Sequence, residues 1–200
     1  MNVIIVGEFT GIVRDAFIEK GHNATSNDLL PSESPGPHIQ ADCKTLDYSP
    51  YDLMIAHPSC RFLTKAGAGK FWDNHRAEQK EAIDFVLWLY NRPVPRICIE
   101  NPAGILTKSW RPPDQYIDPW WFGHWQKKHT GLWLKNFPPL LATLIHPAPA
   151  PFIKGIPETK DRWKKRSRTF SGVASAMAAQ WGILPVMEKG APKIPAPFYS

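Results

Sequence analysis

Three cysteines in 200 residues are too few for a disulfide framework, and Cys43, Cys60 and Cys98 show neither paired nor metal-ligand spacing. No metal site is expected. With no signal-peptide pattern, the odd count argues for a reducing cytoplasm. No apolar run approaches the roughly 20 residues needed to cross a bilayer, which excludes a helical membrane anchor as a partner surface. Internal repeats are missing too, which excludes solenoids. Acidic residues are in deficit, 18 against 24 basic ones, and the resulting charge of +6 favours a polyanionic partner such as a nucleic acid.

What is present is unusual in two respects. There are nine tryptophans and 21 prolines, and most of the prolines follow residue 92. Rigid, irregular connections are therefore expected in the second half. The length suits one domain with a substantial core.

Val3 to Val6 is a continuous apolar run, the pattern of a strand buried on both faces. Gly7 and Gly11 bracket a tight turn, and Ile12, Val13, Ala16 and Phe17 recur at helical spacing until Gly21. His22 to Ser26 reads as a second strand ending at Asn27 and Asp28. This βαβ opening implies a parallel sheet with a right-handed crossover. Further strands are expected at His38 to Gln40, Asp52 to Ala56, Arg96 to Ile99, Thr130 to Leu134 and Leu140 to Ile145. Ala77 to Tyr90 and Gly172 to Trp181 are the other helices, and a loop is expected over residues 61 to 73.

Cys60 follows one apolar strand pattern, in His57-Pro58-Ser59-Cys60, and Glu100 follows another, in Glu100-Asn101-Pro102. A thiol and a carboxylic acid at two strand ends suit covalent attack on a pyrimidine. The thiol adds to the ring, and the acid holds the ring nitrogen that accepts charge. Cys60 needs activation, for which His57, Arg61, Lys65 and a nearby helix start are candidates. The same cysteine also reads as a small hydrophobe.

The Gly7 to Gly11 turn at the start of a helix can attract an anion, or serve simply as a turn. Asp28, at the end of the second strand, can accept ribose hydroxyls, and Asp42 an adenine amino group. Lys164, Lys165 and Arg166 lie in a basic segment around Trp163, which fits either phosphate contact or a solvated charged stretch.

In order along the chain, these pieces resemble the DNA cytosine-5 methyltransferases, and the compact chain looks like members often carried by bacteriophages. Phe9-Thr10-Gly11 looks like the motif that cradles S-adenosylmethionine, and Asp28-Leu29 and Asp42 match its ribose and adenine contacts. Pro58-Ser59-Cys60 is similar to the nucleophile motif, and Glu100-Asn101 to the Glu-Asn pair that contacts cytosine N3. Gln126-Lys127-Lys128-His129-Thr130 stands where the family has Gln-x-Arg-x-Arg.

The resemblance implies a Rossmann-like, S-adenosylmethionine-dependent α/β fold, with a mostly parallel sheet and helices on both faces. It implies one domain over residues 1 to 182, with 136 to 165 as a reduced recognition insert and 183 to 200 as a proline-rich tail. The cofactor residues it implies are Phe9, Thr10, Gly11, Ile12, Asp28, Leu29, Asp42, Cys43 and Pro58, with Cys60 and Glu100 catalytic. Substrate, as DNA or a pyrimidine nucleotide, falls to His57, Ser59, Asn101, Pro102, Lys128, Thr130, Lys164, Lys165 and Arg166.

The chain also departs from the pattern. The family's Gly-x-Gly-Gly is here Gly11-Ile12-Val13-Arg14, and Thr130 replaces an arginine. The expected activity is methyl transfer to cytosine C5 through a Cys60 adduct. The alternative is an altered relative that binds or modifies nucleotides or DNA, as a phage counter-defence factor would.

Overall fold

The computed structural model describes residues 1–64, 73–147, 149–151 and 162–187. Seven strands form one sheet. In chain order they are β1 (Asn2–Val6), β2 (Asn23–Asp28), β3 (His38–Gln40), β4 (Leu53–Ala56), β5 (Arg96–Pro102), β6 (Gln115–Ile117) and β8 (Thr130–Lys135). Their spatial order is β3-β2-β1-β4-β5-β8-β6. The five strands from β3 to β5 run parallel, and β8 pairs antiparallel with both β5 and β6. This is the Rossmann-like, mostly parallel sheet expected from the sequence. A short β7 (Gln126–Lys127) pairs separately with β9 (Ala150–Pro151).

Alternation along the strands divides the core into two layers. Val3, Ile5, Leu53, Ile55 and Cys98 face α1 (Ile12–Glu19) and the late helix α5 (Ser171–Trp181). Ile4, Val6, Met54, Ala56, Ile97 and Ile99 face α2 (Arg76–Tyr90), which inserts Val86 and Leu89. Both faces are thus covered, as near-continuous apolar strands require. Burial of Cys98 at 0% exposure explains that cysteine as core, with its thiol pushed well up by desolvation.

The expected strand at Leu140 to Ile145 does not form. Only Leu140 is buried there, while Leu141, Leu144 and Ile145 are exposed, so no sheet face takes the pattern up. Two short elements had no periodic signal: β6, and α3 (Leu106–Ser109). The basic segment near Trp163 forms a helical turn, α4 (Arg162–Ser167). Residues 65–72 of the expected loop, 152–161 of the expected insert and 188–200 of the expected tail lie outside the described residues.

Register aligns the carboxyl ends of the central strands. Val6 pairs with Asn27 and with Ala56, and Ala56 with Ile99. The next residue on each strand is therefore Gly7, Asp28, His57 and Glu100, side by side along one sheet edge. Ligands bind at that edge in open α/β sheets.

Candidate active site

One cleft of about 1320 Å³ runs along this edge. Its lining joins Phe9, Asp28 and Asp42 at one end to Cys60, Glu100 and Lys128 at the other. The sequence carries these residues far apart, and the aligned strand ends bring them together.

Glu100 lies on β5 with its side chain 19% exposed. His57 Nδ1 stands 3.1 Å from its Oε2. Burial pushes the Glu100 carboxyl up, but the His57 hydrogen bond, the Lys128 charge and the Thr130 hydroxyl together bring it below the ordinary carboxylate value. The carboxylate is therefore ionised at neutral pH and accepts from His57.

Cys60 is half-buried in the loop after β4, and its backbone carbonyl accepts from Leu63 and Thr64 amides. Its thiol is pushed up, first by burial and then by the Glu100 charge, with Lys128 and Arg166 opposing. The expected activation by His57 is not what this geometry provides. His57 is spent on Glu100, and the opposing cations come from the residue after β7 and from α4 instead. Lys65 lies outside the described residues.

The first turn corrects another expectation. Gly7 and Gly11 do take left-handed backbone, with φ of 74° and 76°. Yet the amides at the start of α1 already have an anion of the chain's own. The Glu8 carboxylate accepts from Val13 N at 2.7 Å and Arg14 N at 3.2 Å, and burial pushes its carboxyl up. An acid just before a helical pattern was the signal for this cap.

Arg14, where the family has glycine, is fully buried. It donates to Ser26, Ser32 and Ser34 side chains and to Pro35 O, pinning the segment after β2 onto the turn. A Cβ on Gly11 would lie 2.2 Å from Ser34 Oγ and 2.3 Å from Arg14 Nη2. Accordingly Thr10, Gly11 and Ile12 do not line the cleft, because their surroundings are filled by Arg14 and Ser34.

The nucleoside half of a cofactor fits better. Phe9, Asp28, Leu29, Asp42, Cys43 and Pro58 all line the cleft. Asp28 Oδ1 accepts from Leu30 N, and Asp42 Oδ1 from Lys44 N, while the second oxygen of each accepts no hydrogen bond among the described residues. Trp163, which periodicity could not place, stands over Phe9 with ring centroids 6.0 Å apart and is 51% exposed. Arg168 pairs with Glu33, which holds this end of the chain against the segment after β2.

Of the expected substrate residues, His57, Ser59, Asn101, Pro102, Lys128 and Arg166 line the cleft. Thr130 is buried beside Glu100. Lys164 and Lys165 lie on α4 outside the lining, with Lys164 Nζ 5.8 Å from the Trp163 ring centre. Among the described residues no cluster of His, Cys, Asp and Glu could hold a metal ion.

No family model matches the chain, and no curated protein does. Solved methyltransferase structures do resemble it. One is a candidate DNA modification methyltransferase encoded within an E. coli prophage, with TM-score 0.48 and 14% identity over 74% of this chain and 53% of that one. The Entamoeba histolytica methyltransferase EhMeth gives 0.49 and 15%, over 75% of this chain and 57% of its own. The S. pombe Dnmt2 methyltransferase gives 0.44 and 15%, over 67% and 48%. The chain spans about half the length of these structures.

Proposed function

We propose that the protein transfers a methyl group to C5 of cytosine in DNA or a cytosine nucleotide. The observation that carries this reading is the shared cleft, in which Cys60 and Glu100 stand at one end and Phe9, Asp28 and Asp42 at the other. Asp28 and Asp42 would hold the ribose and adenine of S-adenosylmethionine, with Phe9 and Leu29 against its flat ring. When bound, that cofactor supplies an electrophilic methyl group.

Cys60, as thiolate, forms a bond to C6, and the ring electrons move towards N3, which Glu100 holds. C5 thereby becomes nucleophilic. After transfer the C5 proton leaves to water or a cleft base, the sulfur departs, and the ring regains its double bond. A base in duplex DNA would have to be flipped out, at about a few kcal/mol. Lys128 and Arg166, both on the cleft wall, are placed to meet substrate phosphate.

Three measurements test the reading. Titration calorimetry with S-adenosylmethionine should show binding, and Cys60→Ser should abolish turnover while leaving that affinity within a few-fold. Nucleosides from DNA co-expressed with the protein should contain 5-methylcytosine by mass spectrometry. No binding at millimolar cofactor would remove the methyltransferase claim.

A second reading has its own support. Glu8 occupies the amides at the start of α1, and Arg14 fills the turn that would cradle a cofactor tail. A protein that binds nucleotides or DNA without methyl transfer, acting against host defences, would show DNA affinity but no cofactor heat.

A further inference from the structure

His57 is the residue in this cleft that packing does not explain. Its backbone is fixed, since His57 N donates to Val6 O at 2.8 Å. The turn above it is tight, and a Cβ on Gly7 would lie 2.6 Å from His57 O. The side chain is 9% exposed, and Nε2 is buried with no partner among the described residues. An unpaired buried nitrogen is destabilising, and such groups are rare unless they serve a use. Its other nitrogen faces Glu100, an ionised acid that accepts only, so Nδ1 carries a hydrogen.

We propose that His57 supplies the proton that Glu100 delivers to the ring nitrogen of a bound cytosine. This rests on the methyl-transfer reading above and adds the proton's source. As the Cys60 sulfur bonds to C6, the C5–C6 π pair moves to C4–C5 and the C4–N3 π pair to N3, which takes up the proton that His57 hands to the Glu100 carboxylate. Glu100 takes the Nδ1 proton of the His57 imidazolium, leaving a neutral imidazole with hydrogen on Nε2. When the sulfur leaves, the proton returns along the same path. The proton of the thiol itself goes to water.

His57 reaches the substrate only through Glu100 and is a positioning residue that also carries charge. The groups facing the pair are Glu8 from the turn after β1, Cys60 from the loop after β4, Lys128 from β7's end and Thr130 from β8. The relay needs one proton on the pair, so turnover falls as rising pH removes it.

Two variants separate proton supply from simple support. His57→Asn keeps a donor towards Glu100 but cannot pass a proton. With a single-stranded cytosine oligonucleotide and S-adenosylmethionine labelled in the methyl group, its kcat should fall about 100-fold. KM should hold within about threefold, and the alkaline fall of the profile should move to lower pH. A His57→Asn enzyme within threefold of wild type, with the same profile, overturns the proposal.

A second arm needs no activity. In protein carrying carbon-13 glutamate, the Glu100 carboxyl signal should titrate at higher pH in His57→Leu than in wild type, and at wild-type pH in neither variant. An unmoved titration also overturns it. If wild type methylates no cytosine but the titration moves, the methyl-transfer reading fails while the His57–Glu100 coupling stands.

Discussion

Asn101 Nδ2 donates a 2.8 Å hydrogen bond to Pro58 O, tying the end of β5 to the loop that carries Cys60. The sequence places Asn101 next to the acid and Pro58 two residues before the thiol. One side chain therefore ties the loop that carries Cys60 to the strand end that carries Glu100. The amide is 1% exposed, and its Oδ1 has no partner among the described residues. Asn101 lines the cleft but works here as a tether.

Replacing Asn101 by Leu should release that loop while filling most of the volume. The bond and the orphaned Pro58 carbonyl together are worth about 1–3 kcal/mol of stability, read from urea midpoints. Turnover should fall by about tenfold or more, because misplacing a reacting group by about 1 Å can cost about 100-fold. Unchanged stability and turnover would show that the loop holds itself.

The Cys60 thiol should be slow to alkylate at neutral pH, since burial and the Glu100 charge both favour the protonated form. Glu100→Gln should speed iodoacetamide labelling of the Cys60 peptide, because a like charge is removed. Lys128→Ala or Arg166→Ala should slow it, because each cation favours thiolate. Mass spectrometry of the labelled peptide separates Cys60 from buried Cys43 and Cys98. The opposite order for Glu100→Gln would be incompatible with the two side chains sharing a cleft.

Acid should weaken the fold through Glu100. Its carboxyl binds a proton less readily folded than unfolded, so its ionised form contributes stability above the ordinary value of 4.5 that is lost as pH falls below it. Glu100→Gln has no such titration. The stability gap between wild type and this variant should therefore shrink between neutral pH and about pH 3, measured by urea unfolding at each. A gap that stays constant would show that Glu100 is not held as an anion.

Arg14→Gly, which restores the glycine expected in this turn, should destabilise rather than improve the protein. The guanidinium is buried and meets four partners beyond its neighbour Asp15. Losing it leaves several buried acceptors unmatched, at about 3–5 kcal/mol by the scale of broken buried ion pairs. Thermal unfolding would register this directly. A variant as stable as wild type that also gained cofactor affinity would show the turn to be open after all.

Much of the fold was legible in the sequence because parallel strands buried on both faces leave continuous apolar runs. Val3–Val6, Leu53–Ala56 and Ile97–Ile99 each do so, and β1, β4 and β5 lie where those runs do. The run at Leu140–Ile145 misled, since apolar residues without a sheet face to cover stay exposed. β6 is three residues long and carries no period to read.

The reactive types were visible for the same local reason: Cys60 and Glu100 each follow a strand pattern and stand two residues from a proline that fixes the backbone. The partners of those residues were not visible. That Arg14 fills its own turn and that Trp163 covers Phe9 are likewise facts about neighbours tens of residues away or around a helix turn.

By itself the amino-acid sequence determined most strands of the sheet, their order of appearance and which residues end them, because these follow from burial and turn chemistry within a few residues. Only the tertiary structure decided that His57 and Glu100 are adjacent, because strand register is set by the pairing of the whole sheet. That pairing turned two separate strand ends into one hydrogen-bonded pair.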